Sequence, residues 1–164
     1  MRELPQRKPN RLRGYDYSQC GAYFITVCAK DRHELFGSIS LVGADTIRPQ
    51  LSDIGMIVEN AVLRIPQIYN NVTIDCYVIM PNHVHIIIFI ANNDNGGRMI
   101  SAPTLPKIIG YFKQNVSRTA GFSPWQKSFH DHIIRNDKDY IHIAEYIENN
   151  PAKWKEDCFY TSSS

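Results

Sequence analysis

The stretch from Thr73 to Ile90 leaves the chain little freedom. Two runs rich in β-branched residues, Thr73–Met80 and His83–Ile90, are separated by Pro81 and Asn82 alone. Proline and asparagine favour turns, so the two runs are expected to fold back on each other as a hairpin. Alternation along the second strand puts Val84, Ile86, Ile88 and Ile90 on one face and His83, His85, Ile87 and Phe89 on the other. In the first strand Ile74, Cys76, Val78 and Met80 are expected to share a face. The two imidazoles project the same way, roughly 7 Å apart along the strand. At that spacing they can converge on one divalent metal, or they are two polar residues near the exposed end of a half-buried strand.

The remaining elements follow from periodicity. Gly21–Ala29 is aromatic and β-branched and predicts a buried strand. Residues 31–50, interrupted by Gly37, Gly43 and Pro49, predict a short hairpin. Ile54, Ile57, Val58, Ala61, Val62 and Ile65 follow helical spacing over residues 51–65, with Ser52 as N-cap and Pro66 as terminator. A second helix is predicted over residues 104–119, capped by Thr104, with Leu105, Ile108, Phe112 and Val116 as its apolar stripe. Residues 128–134 predict a strand. Asn136 then caps a last helix with Tyr140, Ile143, Ala144 and Ile147 facing the core, ending before Pro151. The polar loop 92–101 separates the hairpin from the second helix. The order strand, helix, strand, strand, helix, strand is the split β-α-β pattern of an α+β, ferredoxin-like antiparallel sheet. Its two crossover helices are expected on one face, leaving His83 and His85 on the more open one, with an added C-terminal helix.

Length and composition fit this picture. The chain of 164 residues is 43% hydrophobic and 21% charged, which predicts one domain over residues 15–160 with a real core. No apolar run approaches the roughly 20 residues of a membrane span. No apolar leader follows Met1, so a cytoplasmic location is expected. The four cysteines form no C-x-x-C pair, against a thiolate zinc site. The net charge of +2 is uneven: residues 1–14 hold Arg2, Arg7, Lys8, Arg11 and Arg13 against Glu3 alone. Pro5, Pro9 and Gly14 oppose a helix there, so the segment is either an extended arm for a phosphate backbone or a solvated terminus. Residues 161–164 are expected to be a flexible tail.

The last helix carries a second stripe, His142, Tyr146 and Asn150, within about 80° of one another at 3.6 residues per turn. An exposed polar face explains it, and so does a nucleophilic tyrosine with a carbonyl-bearing side chain one turn later.

Tyr77–His85 (Y-V-I-M-P-N-H-V-H), the hydrophobic strand after it, and Tyr146–Pro151 (Y-I-E-N-N-P) together resemble the HUH single-tyrosine transposases. Arg11–Tyr17 and the block from Trp125-Gln126 to His130-Asp131-His132-Ile133-Ile134-Arg135 resemble the branch of REP-associated tyrosine transposases. The resemblance spans about residues 10–156. It implies a metal-dependent single-stranded DNA endonuclease and transesterase that cuts and rejoins DNA near hairpins or palindromes. Carried over by motif, His83 and His85 match the metal-binding histidines and Tyr146 the nucleophile. Asn150 stands where many relatives have a glutamine as third ligand, with Asn149 as its rival. A Mg²⁺ or Mn²⁺ ion would be the cofactor, imidazole favouring Mn²⁺.

A tyrosine hydroxyl with a pKa of about 10 is ionised in only about one molecule in a thousand at neutral pH, and the phosphate it would attack is anionic; an ion held there would orient the phosphate and offset its charge, which is consistent with such a site. Arg11, Arg13, Lys113, Arg118 and Arg135 are candidate phosphate contacts. Trp125 is either a base-stacking platform or a core aromatic. His130 and His132 repeat the H-x-H spacing and are read as DNA contacts or local hydrogen-bonding groups. His142 is read as an exposed helix histidine. Two other functions remain open: a noncatalytic nucleic-acid-binding module, and a metal-dependent hydrolase in which water attacks. Monomer and homodimer, and action of Tyr146 in cis or in trans, are equally open.

Overall fold

The computed structural model describes residues 12–42, 46–92 and 103–162. Of the basic arm it includes Leu12, Arg13 and Gly14. Arg11, most of the polar loop and the last two residues lie outside the described residues.

Four strands form the main sheet: β1 (Gly21–Cys28), β4 (Val72–Met80), β5 (His83–Ile90) and β6 (His130–Ile134). Their order is β4-β5-β1-β6, and each neighbouring pair is antiparallel. The expected hairpin is present: Met80 pairs with His83 across Pro81-Asn82. Between β1 and α1 (Asp53–Ile68), β2 (Gly37–Val42) and β3 (Thr46–Leu51) make a separate two-stranded hairpin. Helices α2 (Leu105–Ala120) and α3 (Asp137–Asn149) follow β5 and β6.

The apolar pattern divides between two faces of the sheet. Tyr23, Ile25, Val27, Val84, Ile86 and Ile88 pack with Val58, Val62 and Ile65 of α1 and with Ile108 and Phe112 of α2. This is the principal core. On the other face Ile87, with Phe24, Cys76, Val78 and Ile134, packs against Ile143 and Ile147 of α3. The sheet therefore separates two crossover helices from the helix that carries Tyr146.

Several local expectations need correction. Ser52 caps α1 by accepting from the Gly55 amide, but Pro66 does not end the helix, which runs on to Ile68. Thr104 precedes α2 in extended conformation and makes no side-chain capping bond. In β4 the register shifts between Ile74 and Cys76. This bulge at Asp75 turns Ile74 towards the principal core while Cys76 and Val78 face α3, because an extra residue reverses the alternation. Asn136 caps α3 as expected, accepting from the Asp139 amide.

Candidate active site

Strand pairing builds the first half of the site. His83 lies opposite Met80 on β4 and Cys28 on β1; His85 lies opposite Val78 and Thr26. The imidazole centroids are 4.5 Å apart. Each ring uses Nδ1 in a hydrogen bond, His83 with Asn82 Oδ1 at 2.9 Å and His85 with Thr26 Oγ1 at 2.8 Å. Both Nε2 atoms are buried without a partner among the described residues.

The face expected to be open is closed. His83 and His85 are 0% and 1% exposed. The Phe159 ring lies 4.5 Å and the Trp154 ring 5.9 Å from His83, while Tyr146 covers His85 at 5.2 Å. Chain that reverses after Pro151, through the 3₁₀ turn Trp154–Glu156, supplies this cover. Sequence periodicity ends at that proline, so nothing in the pattern announces the cover.

Helix α3 and that C-terminal segment supply the second half. The Asn150 Nδ2 donates to Asp157 Oδ2 at 2.6 Å, and the Tyr146 hydroxyl reaches the same oxygen at 3.4 Å. Asn150 is buried, and its Oδ1 has no partner among the described residues. Asn149 is exposed and donates to the Glu145 carbonyl at 2.8 Å. Of the two asparagines, Asn150 is the one brought to the histidines. Asp157 is the residue that sequence reasoning missed. Its carboxylate and ligand atoms of His83 and His85 lie within 4.8 Å of one another, the one such cluster among the described residues. No fixed spacing links it to Tyr146 through the irregular turn, although an acidic pair soon after the helix was a visible signal.

Burial governs the electrostatics. It lowers the His83 pKa to about 4, against the opposing pull of the Asp157 carboxylate and of the Asn150 side-chain oxygen, which would accept from the ring once protonated. It also lowers His85 well below the usual histidine value, with His83 adding to the effect. Both rings are therefore neutral at neutral pH, the form that ligates metals. Burial, followed by the charge of Asp157, raises Tyr146 to about 12. A neutral phenol beside a carboxylate is a poor nucleophile unless a cation joins them. Buried acceptor atoms normally have partners. Three orphaned acceptors (His83 Nε2, His85 Nε2 and Asn150 Oδ1) beside one carboxylate form a nitrogen and oxygen donor set that fits a divalent transition metal.

The other predicted site residues scatter. Trp125 is a core residue, 5% exposed, between Phe36 and Phe112, and its indole donates to the Lys113 carbonyl. Its burial corrects the stacking alternative. The Lys113 ammonium is half-buried and donates to the Gln126 and Lys127 carbonyls at 2.5 and 3.2 Å, fastening that loop in place of a phosphate. Arg13, Arg118 and Arg135 are exposed. His132 is exposed and bonded to Asp139 at 2.9 Å, the local pairing foreseen as one alternative. His130 lies opposite Thr26, in the cross-strand row that holds His85, and lines an open cleft of about 670 Å³ with Lys30, Gln126 and Lys127. Tyr140 faces the smaller core and donates to Asp75. No helix among the described residues is long and apolar enough to cross a membrane.

Comparison with known proteins agrees with the motifs. No protein-family model matches the chain. An uncharacterised Haemophilus influenzae protein is 37% identical over 96% of this chain and 94% of its own length. A second protein of that organism, provisionally named a REP-associated tyrosine transposase, is 26% identical over 84% of this chain and 74% of its own. The REP-associated tyrosine transposase of Escherichia coli K12 is 31% identical over 49% of this chain and 44% of its own. The solved structure of a REP-associated tyrosine transposase bound to a REP hairpin shares the fold, with a TM-score of 0.64 at 24% identity over 88% of this chain and 73% of that one. Over most of its length the chain is thus similar to REP-associated tyrosine transposases in sequence and in fold.

Proposed function

We propose that this protein is a metal-dependent single-stranded DNA endonuclease and transesterase acting near hairpins or palindromes, with Tyr146 as its nucleophile. One observation carries the reading: ligand atoms of His83, His85 and Asp157 lie within 4.8 Å of one another, both imidazole Nε2 atoms are buried without a partner among the described residues, and the Tyr146 hydroxyl meets the same carboxylate. His83, His85 and Asp157 would hold a Mn²⁺ or Mg²⁺ ion, with Asn150 Oδ1 as a further donor. Bound there, the ion would offset charge on the scissile phosphate and favour ionised tyrosine.

The protein's own groups account for the rest. Tyr146 Oη forms a bond to phosphorus as the bond from phosphorus to the 3′-oxygen breaks, leaving a 5′-phosphotyrosine and a 3′-hydroxyl. The phenolic proton leaves towards Asp157 Oδ2, and the departing oxygen takes a proton from water. The phosphoester energy is kept on Tyr146, so another 3′-hydroxyl can reverse the step without ATP. The Tyr146 ring lies 5.2 Å from His85 of the same chain, which supports action in cis. The strand order β4-β5-β1-β6 supports the ferredoxin-like description. The hairpin bound in the structural relative supports a hairpin as the substrate. Arg13, Arg118 and Arg135, exposed and cationic, suit backbone phosphates.

The test is a labelled single-stranded hairpin oligonucleotide incubated with the protein and Mn²⁺, then resolved on a denaturing gel. A shifted, protease-sensitive band absent from Tyr146→Phe is expected. Cleavage without an adduct would instead identify a hydrolase. Binding without cleavage across a range of hairpins and metals would identify a noncatalytic module.

A further inference from the structure

Asn82 ties together three parts of the chain that the proposed metal site needs. It is 1% exposed, at the second position of the hairpin turn. Its Nδ2 donates to the Phe159 carbonyl at 2.8 Å and to the Arg32 carbonyl at 3.2 Å. Its Oδ1 faces His83 Nδ1. Two carbonyls on one side require the NH₂ there, so the atom facing His83 must be the oxygen. An amide oxygen only accepts. His83 must therefore carry its proton on Nδ1, leaving the Nε2 lone pair bare and directed into the site. The equivalent contact of His85 forces nothing, because the Thr26 hydroxyl can donate or accept.

The turn is itself held rigidly. The Ala29 amide donates to the Asn82 carbonyl at 2.8 Å and the Phe36 amide to the Pro81 carbonyl at 2.9 Å. The carbonyl of Arg32 comes from a strained turn, with Asp31 at φ 55° and Arg32 at φ 57° in the left-handed region that non-glycine residues avoid. Arg32 also donates to the Cys158 carbonyl and sets its guanidinium 5.6 Å from the Phe159 ring centroid. The Phe159 amide donates in turn to Asp157 Oδ1 at 2.7 Å. The bond from Asn82 to Phe159 thus anchors the segment that carries Asp157.

We infer that Asn82 is a positioning residue: it locks His83 in the Nδ1–H tautomer and pins the segment that brings Asp157 to the histidines. This inference rests on the metal reading above and goes beyond it by assigning what prepares the site before metal arrives. Partners of this kind, which orient a ligand without touching the metal, are worth about tenfold to a hundredfold in affinity.

The test uses the full chain freed of metal. Long-range ¹H–¹⁵N spectra of labelled histidine report the His83 tautomer, and Mn²⁺ titration reports affinity. The wild type is expected to show Nδ1–H at His83 before metal is added. Asn82→Ala should lose that preference and bind Mn²⁺ about tenfold to a hundredfold more weakly. Asn82→Asp, which keeps the acceptor, should retain the tautomer. An Nε2–H tautomer in metal-free wild type overturns the inference, whether or not any variant folds. So does unchanged Mn²⁺ affinity in a folded Asn82→Ala protein. Failure of wild type to bind Mn²⁺ while showing the Nδ1–H form would strike the metal reading instead.

Discussion

Replacing Asp157 by Asn keeps the shape of the side chain and removes its charge, so it isolates what the carboxylate does to Tyr146. The phenolic oxygen and Asp157 Oδ2 are 3.4 Å apart. Two unit charges at that distance interact by about 5 kcal/mol at an effective dielectric of 20 and by about 1.2 kcal/mol in bulk water. Tyr146 is 39% exposed, so solvent screening places the effect near the lower figure. Since about 1.4 kcal/mol is one pKa unit, Asp157→Asn should lower the Tyr146 pKa by close to one unit from its raised value of about 12. It should stay above the ordinary tyrosine value, because burial is the larger cause and survives the substitution. The chain has nine tyrosines, so the assay must be specific. The ¹³Cζ resonance of labelled tyrosine, assigned by its loss in Tyr146→Phe and followed through alkaline pH without metal, provides that. A midpoint that stays put or rises in Asp157→Asn would refute the electrostatic account of this site.

Two further outcomes follow from burial. Trp125→Ala should cost about 3–5 kcal/mol in urea denaturation, and Trp125→Phe less, because the Lys113 carbonyl keeps the Ser117 hydroxyl as a donor; a stable Trp125→Ala protein with tenfold weaker single-strand binding would make Trp125 a stacking platform after all. In metal-free protein the neutral, buried His83 and His85 should make stability fall as pH drops from about 6.5, where the unfolded chain begins to take up protons, through about 4, where folded His83 does. The slope measured by denaturation across that window should flatten in a His83→Gln, His85→Gln double variant, and an unaltered slope would contradict the burial argument.

The fold was legible wherever one face of an element met one core. The alternation of β5, the stripe of α1 and the apolar side of α3 all read correctly, because burial on one side imposes a period on the sequence. Ile74 was misplaced because a bulge costs one residue and leaves no compositional mark. Pro66 was read as a stop, yet it sits where the helix is already closing. The pairing of His83 with His85 and the shared stripe of Tyr146 and Asn150 were legible from spacing, and the structure brings the two halves together. The burial of His83, His85 and Asn150 was not, because the segment beyond Pro151 that helps to cover them is irregular and stands close through tertiary contact alone. Asp157 was hidden for the same reason. Lys113 and Trp125 were ambiguous in sequence since a long amine and an indole serve a core or a ligand equally well; only their bonding partners decide.

The two cores on either side of the sheet differ greatly in size. The helices α1 and α2 share an extensive apolar interior with β1, β4 and β5, whereas α3 rests chiefly on Ile87, Ile143 and Ile147. Local opening free energy follows buried apolar contact. The helix bearing Tyr146 can therefore lift away at a fraction of the free energy of global unfolding, while β5 keeps both imidazoles where they are. Amide exchange would see this as early loss of protection along α3, with β5 holding out to the end. The molecule thus divides into a permanent anvil and a detachable hammer; under the proposed function, such lifting would admit DNA or release a joined end without disturbing the histidines.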